Sequence, residues 1–544
     1  VILKLDKLGT AGMVSDMAPH DLPSQAFSVA EAVSFRDGKA KKSGGYRLVN
    51  TIADDFPTWM QPWLSGGIQR IAVLMTETVQ VLESGIMLTA ALQNQAGAAT
   101  TLTTSRIGQS TTFGDYCVLN NGTDYPLYSW NSATSSKDGS VFRQIPGWGA
   151  ATSPGGSVKV IRGFGSFLMA IGVTDAPYSF YWSDEAEPNA FPMSWDYADP
   201  TNLAGTNTVS ASDGILVNGE PLGNDFIIYA QRATYAARFV GGAYIFDTRR
   251  LWPWGCLNQD CVVQFENQHF VVADEAVFVH DGNSNTRIAA GRIERQLFSE
   301  ISDLSKVRVS ANLAANEILI YYPRNGASSP NRACIWNWIT NTWNFRDLPW
   351  VACIAESPQP TTGLLRFSSP EAAIPIDSAP WTADSLGASD PRRRLFMVTA
   401  EGEPIFDNSF TGFTTGALLE YGTQYVNATR TATAPYYAYV ERTGLDLENL
   451  GSPAARSLFI RGLYPQMRGS GVVQVQIGAA QTPNGEYLWD DPQAFDLNDA
   501  EAYKIDTRLT GKYVGYRIGE WEGAATSVSW ELTGVEIDVQ DGGR

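Results

Sequence analysis

Histidine and cysteine are scarce in this chain, with three His and five Cys among 544 residues. Cys117, Cys256, Cys261, Cys334 and Cys353 are odd in number and irregular in spacing, which argues against a disulfide framework. They read as reduced, buried thiols, consistent with synthesis in a cytoplasm. Cys256 and Cys261 have no second pair nearby to complete a tetrahedral metal site. His269 and His280 fall in one predicted hairpin on either side of Asp274–Glu275, too loosely spaced for zinc, and read as surface or strand-end residues. With His20 the remaining imidazole, the reading assigns no catalytic, cofactor-binding or metal residue.

Long apolar runs are also missing. No stretch of about 18 apolar residues could span a bilayer, and the opening VILKLDKLGTAGMVSD lacks the apolar segment of a signal peptide. Positive charge is the minority sign: 39 Lys and Arg face 57 Asp and Glu, for a net −18. Tight phosphate binders are basic, so the chain is a poor candidate for a conventional nucleic-acid binder, although an acidic wall could surround DNA that slides past. No GxSxG elbow, Walker loop or HExxH motif occurs. GFGSFL at Gly163–Leu168 lacks the third glycine of a dinucleotide fingerprint, and Ser136–Ser140 misplaces the glycine of a sialidase-type Asp box. A glycosidase needs two carboxylates about one bond, but no pair can be singled out from 57 acidic residues, and Asp490–Asp491 and Asp496–Glu501 read as solvated loops.

What is abundant is aromatic and turn-forming. Sixteen Trp, 22 Tyr, 24 Phe, 50 Gly and 28 Pro suit an all-β chain of short strands and many turns. From about Gly66 to Phe410 an apolar strand, a turn and a second apolar strand recur. Anchors Val79, Tyr128, Tyr181, Tyr235, Phe278, Trp336 and Ile405 stand at roughly fifty-residue intervals, near the period of propeller blades. The reading is a β-propeller over 51–414, with a β-sandwich carrying long insertions as the alternative. An arm and hairpin occupy 1–50, with a helical stretch near Ala26–Ala32, a turn at Asp37–Gly38 and a Lys-rich end at Lys39–Lys42. Ile288, Ile293, Leu297 and Ile301 recur at helical spacing and predict one inserted helix near 288–301. Residues 415–544 alternate at period two and read as a separate C-terminal antiparallel β-sandwich-like domain. The strip RRLWPWGC places Arg249, Arg250, Trp252 and Trp254 in a stiff connection, read either as a loop packed on its own ring or as a projection into a channel or a neighbouring subunit.

Three stretches carry a family resemblance. The opening GTAGMVSDMAPHDLPSQAFSVAEAVSFRDGKAKKSGGY, the middle YAARFVGGAYIFDTRRLWPWGCLNQDCVVQFENQHFVVADEAVFVHDG with RIAAGRIERQLFSEI, and the closing RLTGKYVGYRIGEWEG…VSWELTGVEIDV resemble tail proteins of short-tailed bacteriophages (podoviruses). The likeness is to the packaged-DNA stabilisation hub and, more distantly, to the tubular nozzle. It implies a non-enzymatic virion protein made in the host cytoplasm: a homo-hexamer below the portal-adaptor ring, contacting tail fibres or tailspikes. Packaged DNA would pass through its channel without sequence-specific contacts, and basic segments at Arg392–Arg394 or Lys39–Lys42 would meet acidic neighbours. A cellular propeller scaffold and a carbohydrate-active propeller, the latter expected to show a pocket with two close carboxylates, are the alternatives.

Overall fold

A computed structural model describes the chain except residues 1, 53–54, 84, 106, 131–136, 243, 359–392, 402–415, 423–426, 429–432, 435, 447–457, 484, 522–527 and 542–544. Among the described residues, seven small, mainly antiparallel sheet units follow one another, the sixth continuing into a larger sheet. Their innermost strands are Trp59–Ser65, Gln109–Phe113, Val158–Phe164, Leu216–Leu222, Val262–Phe265, Arg308–Asn312 and Val351–Pro358. Each packs against the next, and the last returns to the first. The ring is closed, and the architecture is a β-propeller of seven blades.

Burial on both faces explains the apolar runs. In Ile68–Leu74 successive side chains point to opposite sides. Ile71 and Val73 enter the core shared with the seventh blade, while Ala72 and Leu74 enter the core shared with the second. Phe167–Val173 behaves likewise: Leu168 and Ala170 face the second blade, Met169 and Ile171 the fourth. A strand covered on both sides loses the polar alternation of a half-wet one.

The described anchors all lie on the third strand of their blades; Ile405 lies outside the described residues. The seventh blade is built from both ends of the propeller sequence. Val351–Pro358, Arg393–Thr399 and Ala417–Tyr421 are completed by Tyr46–Thr51. The ring therefore reaches past the expected boundaries at 50 and 414, and an early strand locks its last blade.

The helical stretch near Ala26–Ala32 is corrected: Ala26–Phe27 and Val29–Glu31 are strands. Tertiary pairing explains the difference, because Val29–Glu31 bridges the sixth blade's outer strand to Ala438–Asp446 of the C-terminal domain. The turn at Asp37–Gly38 forms as read, with φ of 53° and 72°, the pair of positive values a two-residue hairpin turn requires. Its hairpin joins the edge of a six-stranded C-terminal sheet through Ser529–Asp541. The Lys-rich end is absorbed there. Lys42 Nζ meets Glu520 at 2.6 Å with both side chains 1% exposed, and Lys39 meets Glu531 at 2.8 Å. The inserted helix is Glu294–Glu300, shorter than expected, with Leu297 buried.

Candidate functional site

The seven inner strands surround a cavity of about 410 Å³ on the propeller axis. A strand facing a wet channel on its inner edge needs polar residues there, and these strands supply them within otherwise apolar segments. Arg162 interrupts VKVIRGF, Glu220 interrupts LVNGEPL, and Asp260 precedes the fifth blade's first strand.

These groups form one line across four blades. Arg162 Nε donates to Glu220 Oε1 at 2.5 Å, and its Nη2 donates to Gln109 Oε1 at 2.9 Å. Gln109 Nε2 in turn donates to the Asp260 carboxylate. The other Asp260 oxygen is ion-paired with Arg308 Nε at 3.2 Å. Beside this line, Trp59 Nε1 donates to Ser110 Oγ at 2.6 Å, and Ser110 Oγ donates to Gln61 Oε1 at 2.5 Å. The Arg308 guanidinium lies 5.4 Å from the Trp59 ring centre. A third carboxylate, Glu356, lines the same cavity from the seventh blade and accepts from the Ala314 N–H at 3.1 Å.

The two carboxyls of the line have different surroundings. Burial pushes the Asp260 carboxyl above its ordinary value, and the nearby Arg308 and Gln109 only partly oppose this. Glu220 sits against Arg162 with its side chain 17% exposed. Both carboxyls face an arginine, and Asp260 is the more deeply buried of the two. Two carboxyls at one cavity, the deeper one pushed toward its neutral form, suit acid–base chemistry on a sugar. The Trp59 face, the amides of Gln61 and Gln109 and the Ser110 hydroxyl are groups suited to a ligand rich in hydroxyls. Among the described residues, no three His, Cys, Asp or Glu side chains converge as a metal site would require.

The expected strip lies elsewhere. Arg249, Arg250 and Trp252 are on Phe246–Trp252, the outermost strand of the fourth blade. Arg250 pairs with Asp213 at 2.9 Å and Arg249 with Asp225 at 3.6 Å. Trp252 stacks on Trp254 at 5.2 Å, and Trp254 stacks on Phe278 of the fifth blade at 4.3 Å. The strip is packed on its own ring, on the rim and away from the channel.

The histidines are not surface residues. His269 and His280 are direct cross-strand partners, 0% and 1% exposed. The Gly282 N–H donates to His280 Nδ1, so the proton of this ring sits on Nε2 and is donated to Tyr229 Oη at 2.6 Å. Tyr229 donates to His269 Nδ1 at 2.8 Å, and His269 Nε2–H donates to the Pro221 carbonyl at 2.8 Å. Every ring nitrogen is used, and the chain stitches the fourth blade to the fifth. Burial lowers His269 to about 4 and His280 to about 3.

No protein-family model matches the chain, and no curated protein matches it. Among solved structures it is similar to the exo-β-1,3-galactanase of Phanerochaete chrysosporium bound to galactose, at 10% identity and a TM-score of 0.24, over 84% of this chain and 100% of the other. A Glu-to-Ala form of that enzyme with β-1,3-galactotriose matches at 10% identity and a TM-score of 0.23, over 75% of this chain and 98% of the other. These two solved structures are those of an enzyme and neither is a phage tail protein, so the expectation of a non-enzymatic phage tail hub finds no support in them and is set aside. Likeness at this level carries no argument about the reaction, which has to be read from the channel's own residues.

Proposed function

We propose that this chain is a carbohydrate-active propeller whose axial channel receives a glycan. The observation that supports this reading is the hydrogen-bonded line Glu220–Arg162–Gln109–Asp260. It brings two carboxyls of different character to one cavity, beside the Trp59 ring and the Ser110–Gln61 pair. Asp260, kept toward its neutral form by burial, is the proton donor to a leaving oxygen. Glu220, ion-paired with Arg162, is the partner that faces the developing positive charge on the sugar.

Purified protein incubated with a panel of neutral β-linked oligosaccharides tests this. Release of reducing ends from at least one member is expected, with a loss of about a hundredfold or more in Asp260→Asn, as for removal of a general acid. Glycan turnover that survives both Asp260→Asn and Glu220→Gln would place the chemistry outside the channel. No release from any member, with no saturable binding, would remove the reading altogether.

A further inference from the structure

A second cavity, of about 620 Å³, opens where the N-terminal hairpin meets the junction of the sixth and seventh blades. Four arginines from three separate segments line it: Arg36 at the end of the hairpin's first strand, Arg47 on the strand that closes the ring, and Arg393 and Arg394 at the start of Arg393–Thr399. Two carboxyls, Glu317 and Glu420, share the lining. In a chain of net charge −18, four guanidiniums around one cavity are not what average composition supplies.

The carboxyls do not cancel them. Glu420 is buried at 1% exposure and is engaged from two sides, by Arg47 at 2.5 Å and by Arg394. It fixes two guanidiniums in place. Glu317 is 7% exposed, and burial raises it to about 7 despite nearby Arg36 and Arg346. Near neutrality a large share of it is therefore uncharged and able to donate. Arg36 reaches the Ala315 carbonyl at 2.8 Å, and Arg393 lies 3.6 Å from Glu356, with its side chain 59% exposed. A guanidinium has five N–H donors, and one carbonyl or one loosely paired carboxylate leaves most of them available.

We propose that this cavity is a binding site for an oxyanion, a phosphoryl or carboxylate group of a small molecule, held by Arg36, Arg47 and Arg393. The planar fork of Arg suits such groups because it can offer two parallel N–H bonds to one anion. The site is separate from the channel and does not depend on what the channel does. Glu356 links the two walls: it lines the channel, pairs with Arg393 and accepts from the Ala314 N–H.

Calorimetric titration of the full chain at low ionic strength, with inorganic phosphate in one arm and citrate in the other, tests the proposal. Saturable binding of at least one probe is expected, weakening at least tenfold in the double variant Arg36→Gln/Arg393→Gln. Both side chains are exposed enough that the fold should survive, and an unchanged melting temperature without anion checks this. The arm that binds tells phosphoryl from carboxylate. Absence of saturable binding in both arms, or binding that the double variant leaves intact, overturns the site.

Discussion

Arg162 and Glu220 meet across the seam between the third and fourth blades, Nε to Oε1 at 2.5 Å, with side chains 11% and 17% exposed. The pair joins two blades and lines the channel at once, so stability and the proposed function are tied to the same contact. Removing one partner of a buried pair strands the other. Arg162→Met is expected to cost about 2–3 kcal/mol, somewhat under the fully buried figure because channel water reaches both groups. Adding Glu220→Gln should recover part of that loss, because the stranded charge is gone. Urea unfolding of the single and double variants measures it, and a single variant as stable as wild type contradicts the assignment.

The His280–Tyr229–His269 chain predicts acid sensitivity of a definite sign. Both imidazoles are held neutral in the fold, His269 lowered to about 4 and His280 to about 3. The unfolded chain, with ordinary histidines near 6.5, therefore binds more protons below that pH. Stability contributed by these groups is complete above about pH 6.5 and drains away as pH falls toward 4. For His269 alone the full loss is on the order of 3 kcal/mol. Melting temperatures should drop between pH 7 and 5, and a variant with both histidines replaced by Gln should drop less over that interval. Equal slopes in the two proteins would remove the histidines from the account.

Trp254 is expected to matter for the rim. Its ring lies flat on Phe278 and on Trp252, and it is half-buried. Trp254→Ala should cost about 2 kcal/mol from lost stacking and burial. Tyr244→Ala, at a site 80% exposed, should change the urea midpoint little. If the two variants unfold alike, the rim stack contributes nothing.

Gly255, one residue on, is expected to be intolerant of any side chain. A Cβ there would stand 1.8 Å from the Ala230 carbonyl oxygen, a backbone atom in the fourth blade's second strand. Backbone cannot give way as a side-chain tip can, so Gly255→Ala should destabilise by about 3 kcal/mol or more. Soluble yield and thermal unfolding check it, and wild-type values would mean that the blade's edge is looser than described.

The legibility of the fold follows the same physics as these contacts. The ring could be read because blades bury both faces of their middle strands: Phe167–Val173 is an unbroken apolar run, Asp225–Ala230 is one after its first residue, and the third-strand aromatics recur with the blade period. The inner strands were harder to see. Facing the channel, segments such as QSTTF and LVNGEPL carry polar residues that interrupt the pattern, so each unit reads as two apolar strands. Closure by Tyr46–Thr51 leaves no local trace, because pairing with Ala417–Tyr421 spans nearly the whole ring.

The site was barely legible. Glu220 and Asp260 are two of 57 acidic residues, and the partners that distinguish them, Arg162 and Gln109, come from other blades. One signal was present: Arg162, set directly after the apolar Val160–Ile161 in VKVIRGF, marks a charge that needs a buried partner. The histidines misled for a related reason. Their spacing in one hairpin gives their register, but only the neighbouring blade's Tyr229 shows that they are buried and satisfied.

The most direct measurement is an experimental structure of the protein soaked with an oligosaccharide that it binds or cleaves. A sugar ring on the propeller axis is predicted, lying against Trp59, with hydroxyls or the glycosidic oxygen within hydrogen-bond distance of Asp260 and Glu220. Density for the glycan on the blade rims or in the C-terminal domain, with the channel occupied only by water, would contradict the account.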